Sequence, residues 1–276
     1  MITINIDPVL FHIGPVEIRW YGVMVALAVI AIVAISLREA KRLKIAEEHI
    51  YNVAVWGVIG GIIGSRVVHV IDKWSYYSQH LDQIVGFAGV AVYGAVIGAV
   101  LAVVLYVWIK KLSLWQMLDV VAPGALVGMA IGRIGCVING CCYGLPTDSD
   151  WGCVYENPNA LAPIGIPVQP TQEYHIIWNL AAFGILWALR KRLQPAGSAF
   201  LLYIALYGAG DLVIRFFREG ELFLFGMQQA QLIGIILLVT SMSLLAFRMV
   251  RYRKNQSRGT PPVIETRDES DELKSD

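Results

Sequence analysis

Seven apolar runs dominate this sequence, each near the roughly 20 residues needed to cross the hydrocarbon core of a bilayer. They fall at about 21–37, 51–71, 87–109, 115–138, 173–189, 199–217 and 231–247. In lipid every backbone N–H and C=O must be satisfied within the protein, so segments of this length are expected to be helices. Composition agrees: 57% of the 276 residues are hydrophobic, 16% are charged, and the mean hydropathy is +0.59. The 22 basic residues are scattered over connections and form no stripe or groove, which argues against a nucleic-acid partner. The segment before Trp20 has no basic leader, so the first run is expected to stay as an anchor and not to be cleaved as a signal peptide.

The charge pattern orients the chain. One set of connections holds fourteen Lys and Arg, including Arg38, Lys41, Arg42, Lys44, Lys110, Lys111 and Arg190 to Arg192. The opposite set holds four (Arg19, Lys73, Arg215, Arg218), and the long connection 140–172 holds none. Positive charge accumulates on the cytoplasmic side. The expected fold is therefore all-α: a polytopic membrane protein of about seven transmembrane helices, N-terminus outside and C-terminus cytoplasmic. An outer arm (1–20) leads into a helical domain (21–248) with an outer loop at 140–172. The polar, charge-rich stretch 249–276 reads as a disordered cytoplasmic tail.

Small residues recur every four positions in the fourth run (Gly124, Gly128, Gly132, Cys136, Gly140), and Gly60/Gly64 and Gly94/Gly98 do the same in the second and third. Such stripes let helix backbones approach closely in lipid, and packing accounts for most of them. It does not account for the arginines beside them. With 1.5 Å of rise per residue, Arg66 and Arg133 each lie about 7–8 Å below the outer boundary. Tyr21, Tyr93, Gln172, Asp211 and Arg215 fall near the same level on other runs. Each has a plainer reading. A single arginine snorkels to the interface, tyrosines anchor in the aromatic belt, and Asp211 with Arg215, spaced i, i+4, neutralise each other. Asp119 reads as a first-turn acid favoured by its helix dipole. As a set, charges kept in lipid from several helices point to a site. A phosphodiester suits it, because guanidinium binds phosphate oxygens bidentately and keeps its charge where water is scarce. Membrane phospholipid is the ligand class that follows.

Six stretches then carry a resemblance: "IRWYG" (18–22), "GSRVVHV" (64–70), "YGAVIGA" (93–99), "GRIGCVINGCCYG" (132–144), "QPTQEY" (169–174) and "YGAGDLVIRFFRE" (207–219). In order and spacing they resemble prolipoprotein diacylglyceryl transferases, multi-pass enzymes of the bacterial plasma (inner) membrane. The resemblance implies transfer of the diacylglyceryl group of phosphatidylglycerol to the lipobox cysteine of a prolipoprotein at the outer face. It implies that Arg133 binds the departing phosphate, Tyr21 orients headgroup or thiol, Gly144 allows close backbone approach, and Asn139 hydrogen-bonds near the glycerol. Tyr93, Arg66, Gln172, Asp211 and Arg215 complete the candidate catalytic and substrate-binding set.

Several positions depart from the family's pattern. Tyr93 stands where many members have the histidine read as the base. Cys136 and Cys141 replace asparagine and glutamate, Asp211 and Arg215 reverse an arginine–glutamate pair, and Glu173-Tyr174-His175 replaces Leu-Tyr-Glu. His69, His80 and His175 are the candidates for a substitute base. These departures leave a non-catalytic phospholipid-binding relative as the alternative. A transporter, suggested only by seven crossings and intramembrane arginines, lacks the repeated broken helices it requires. No cofactor is expected. The spacing C-x4-C-C-x10-C does not match paired C-x2-C zinc sites, so no metal is expected either. In an oxidising compartment Cys153 is the candidate disulfide partner of Cys141 or Cys142.

Overall fold

The computed structural model describes residues 1–14, 16–84, 91–218, 220, 222–224 and 226–257. All seven apolar runs fall on helices: α1 (Trp20–Leu43), α2 (Glu47–Asp72), α4 (Val92–Ile109), α5 (Leu114–Asn139), α6 (Thr171–Leu189), α7 (Ser198–Ile214) and α8 (Gln229–Ser257), with a one-turn α3 (Trp74–Tyr77) between α2 and α4. Five of these (α1, α2, α5, α7 extended to Phe217, and α8) are long and apolar enough to cross a membrane; α4 is a shorter apolar helix. The first half of α6 carries Gln172, Glu173, His175 and Asn179, which lowers its apolar character. The last helix runs to Ser257, past the point where the sequence pattern begins the tail; residues 258–276, and 87–90 at the start of the third run, lie outside the described residues.

Two compact units divide the chain, Met1–Ser36 with Leu118–Pro262 and Leu37–Met117. The second contains α2 and α4, which meet through glycines. A Cβ on Gly64 would sit 2.7 Å from the Cα of Gly98, so only hydrogen fits there. Ser65 Oγ accepts the Ala91 N–H at 3.0 Å and ties the entry of α4 to α2. Tyr106, buried, receives Asn52 Nδ2 at 3.1 Å and lies 2.9 Å from His49 Nδ1.

The first unit is not purely helical. Strand β1 (Ile2–Ile4) pairs in parallel with β4 (Cys153–Tyr155), and β2 (Val9–Ile13) with β3 (Val16–Arg19) forms a hairpin that leads into α1. The N-terminal arm and the long connection 140–172 are thus joined by strands and by a small core of Ile4, Cys153, Tyr155, Ala162 and Val168. Below it, α5 packs on α1: a Cβ on Gly124 would lie 2.9 Å from the Ile32 carbonyl and one on Gly128 2.7 Å from the Ile32 side chain. At Gly132 the same test meets nothing within 4 Å, so the small-residue stripe stops being a packing seam one turn before Cys136. Ala122, Leu126, Ala182, Leu186 and Ala199 form the core between α5, α6 and α7. Asp119 sits beyond the first turn of α5 and acts on a different helix. Its carboxylate accepts the N–H groups of Gly197 at 2.6 Å and Phe200 at 2.9 Å, capping the start of α7.

Candidate functional site

The end of α5 folds back over itself. Gly140 adopts φ +67, a left-handed conformation that glycine takes without penalty, and the Cys141 N–H donates to the Cys136 carbonyl at 3.1 Å. This six-to-one closure is a Schellman cap, which brings the side chains on either side of it together. Cys142 follows in the left-handed region at φ +65, and the Sγ atoms of Cys136, Cys141 and Cys142 all lie within 4.8 Å of one another. Two side chains from the first turn of α6 hold this loop: Gln172 Nε2 donates to the Cys141 carbonyl at 2.9 Å, and Thr171 Oγ1 to the Cys142 carbonyl at 2.7 Å. Gln172, 1% exposed, also donates to Tyr155 Oη at 3.2 Å.

Backbone bonds bring a third element in. Gly144 N–H donates to Gln169 O at 2.9 Å, and Leu145 N–H to Phe217 O at 2.8 Å. A Cβ on Gly144 would meet Gln169 Cβ at 2.6 Å and Thr171 Cγ2 at 2.8 Å, so its bareness serves this junction of protein segments. The ends of α5 and α7 and the start of α6 therefore converge within one unit.

Charge gathers at this junction. Arg133 is half-buried on α5, and no hydrogen bond or ion pair satisfies its guanidinium among the described residues. Arg215 Nε lies 3.4 Å from Asp211 Oδ2, and Asp211 Oδ1 lies 3.9 Å from His175 Nε2. His175 and Asp211 are both buried; His175 Nε2 makes no hydrogen bond. The charges of Arg133, Arg215 and Arg218 all act on the His175 ring, those of Arg218 and Arg133 act on Cys142, and that of Arg133 also acts on Tyr21. Tyr21 reaches the site from α1, whose backbone at that residue packs on Gly135. Of these three guanidinium groups, Arg215 lies beside the Asp211 carboxylate, and among the described residues Arg133 has no ion-pair partner; cationic groups of this kind suit a bound anion. The His175 imidazole lies buried among them.

The model of the prolipoprotein diacylglyceryl transferase family matches residues 8–247. The chain belongs to that family. A relative from Dehalococcoides mccartyi, named phosphatidylglycerol–prolipoprotein diacylglyceryl transferase, is 41% identical over 94% of this chain and 100% of its own length. Relatives of the same name from Acaryochloris marina (38% identical; 83% of this chain, 86% of theirs) and Listeria innocua (34%; 89% and 91%) are similarly extensive.

Of the family-implied site residues, Arg133, Tyr21, Asn139, Gly144, Gln172, Asp211 and Arg215 lie in the first unit. Asn139 ends α5, with its Oδ1 buried and unpartnered. Arg66 and Tyr93 belong to the second unit. There Arg66 donates to the carbonyls of Gln83 and Ile84 and lies 5.1 Å over the Tyr77 ring, so it holds the connector after α2. Tyr93, in the first turn of α4, is 83% exposed. The four cysteines stand as free thiols in the structure, and Cys153 Sγ donates to Glu173 Oε1 at 3.5 Å. Burial, together with the Glu173 carboxylate, pushes the Cys153 thiol up to about 12. Burial also raises Tyr155 above the usual phenol value. Two features escape sequence reading. Arg218 counts there only as a loop charge; it follows directly on the 3-10 turn Arg215–Phe217 that extends α7. His175 is one of three equal histidines until the fold places it beside Asp211.

Proposed function

We propose that the chain transfers the diacylglyceryl group of phosphatidylglycerol to the lipobox cysteine thiol of prolipoproteins, at the outer face of a bacterial plasma membrane that it crosses with its N-terminus outside. The observation that carries this reading is the half-buried Arg133, without a hydrogen-bond or ion-pair partner among the described residues, near Arg215, Arg218 and the buried His175–Asp211 pair. Arg133 takes the phosphate oxygens, with Arg215 and Arg218 lending charge. His175 accepts the proton of the attacking thiol, and the Asp211 carboxylate, 3.9 Å from its Nε2, stabilises the imidazolium electrostatically against the surrounding guanidinium charges. The sulfur forms a bond to the terminal glyceryl carbon as the carbon–oxygen bond to phosphate breaks. The electron pair leaves with glycerol phosphate, whose developing charge the guanidinium groups stabilise. His175 thereby serves in place of the histidine that Tyr93 replaces. Tyr21 and Asn139 face the same chemistry as hydrogen-bonding groups, and Gln172 acts by positioning the Cys141–Cys142 loop.

The purified chain in phosphatidylglycerol liposomes, given a lipobox peptide, is expected to raise the peptide's mass by one diacylglyceryl group, and to do nothing in phosphatidylcholine. No mass change in phosphatidylglycerol would overturn the reading and leave a lipid-holding relative.

A further inference from the structure

Three thiols crowd the end of α5, and no step of the transfer chemistry uses their sulfur atoms. We propose that Cys136, Cys141 and Cys142 form a three-thiolate site for a thiophilic d10 cation, Zn2+ in the first instance. The Sγ atoms lie within 4.8 Å of one another. Zinc–sulfur bonds of about 2.3 Å in a tetrahedral array require separations of about 3.8 Å, so closure of about 1 Å by side-chain rotation suffices. Thiolates are the ligands that select such metals over harder cations.

The backbone is built to present them. The Schellman cap at Gly140 sets Cys141 against Cys136, and Cys142 holds a left-handed φ of +65 that disfavours a non-glycine residue. Hydrogen bonds from Gln172 and Thr171 to the two cysteine carbonyls fix the loop in that shape. Cys136 is buried while Cys141 and Cys142 are half-buried, which shields one side and leaves a way in. Binding Zn2+ would release three thiol protons to solvent, with no electron transfer, and leave one net negative charge. The guanidinium charges of Arg133 and Arg218, which already act on Cys142, offset it. Three protein ligands leave a fourth position free. Asn139, the last residue of α5, has its Oδ1 buried and without a hydrogen-bond partner among the described residues.

The C-x4-C-C spacing reads poorly as a metal motif because it lacks a C-x2-C pair, yet a helix cap does the work of that turn. The site is independent of whether the chain turns over lipid.

The test uses the full chain, purified in detergent, reduced and stripped of metal. Adding Cd2+ is expected to produce a thiolate-to-metal charge-transfer absorption that saturates at one equivalent, appears also when Cd2+ displaces bound Zn2+, and is reversed by a strong chelator. The band is expected to be lost in C136S, C141S and C142S and retained in C153S. Because C136S alters a buried position, a second measurement needs no variant: Zn2+ is expected to protect Cys141 and Cys142 of the wild-type chain from alkylation, read by peptide mass mapping. No band, or no protection, would overturn the site. So would a band of equal strength in C142S. So would mapping of protein alkylated in intact membranes that finds two of the three sulfurs joined as a disulfide.

Discussion

Replacing Arg133 by alanine isolates the group on which the phosphate reading depends. No protein partner satisfies this guanidinium among the described residues, so its removal orphans no buried acceptor and the melting temperature is expected to stay put. The loss should fall on the reaction. Taking away one preorganised donor to a developing anionic charge costs about 3–4 kcal/mol, roughly 10²–10³-fold in kcat. Arg215 and Arg218 compensate only in part, because Arg215 already lies 3.4 Å from Asp211. Arg133→Lys keeps the charge and loses the bidentate fork, so little of the loss should return. The assay is initial-rate mass spectrometry of a lipobox peptide in phosphatidylglycerol liposomes, with thermal melts of each variant alongside. Wild-type kcat/KM in the alanine variant would refute the reasoning. A rate loss matched by a large fall in melting temperature would refute it too, since Arg133 would then be holding the fold.

His175→Gln is expected to lower kcat by about 10²–10⁴-fold, as for loss of a general base, with KM for the lipid little changed; an equal rise in KM with kcat intact would make His175 a binding residue. Gly64→Ala places a Cβ 2.7 Å from the Gly98 Cα and is expected to cost about 1–3 kcal/mol by overpacking, whereas Gly132→Ala, inside α5 and with nothing within 4 Å, should raise stability by up to about 1 kcal/mol. Cys153 is held protonated in the fold, up to about 12 from an ordinary value of 9.0. A raised value stabilises fully below the unfolded thiol's pKa and is lost as pH rises, so the stability difference between wild type and C153A should shrink between about pH 9 and 12. Denaturant melts across that range check the sign.

Length and apolarity are local properties, and they locate every helix that the seven runs mark. Depth follows from them as well, but rotation about the helix axis does not. Arg66 illustrates the gap: its level along α2 is readable, while its engagement with Gln83, Ile84 and the Tyr77 ring depends on how the connector folds back. The pairing of β1 with β4 joins three-residue strands some 150 positions apart, too short for periodicity to register. Asp119 follows the dipole rule, yet on the start of α7, a partner only tertiary packing supplies. The thiol cluster was more accessible than it looked. A glycine after the last turn of a helix announces a Schellman cap, and that cap juxtaposes the residues at Cys136 and Cys141 without any long-range information.

The most direct measurement is an experimental structure of the full chain with a non-transferable phosphatidylglycerol analogue. The account predicts the phosphate within hydrogen-bond distance of the Arg133 guanidinium, with Arg215 and Arg218 around it and the glyceryl carbon open to a thiol near His175. A phosphate seated elsewhere, with Arg133 still unpaired, would contradict it.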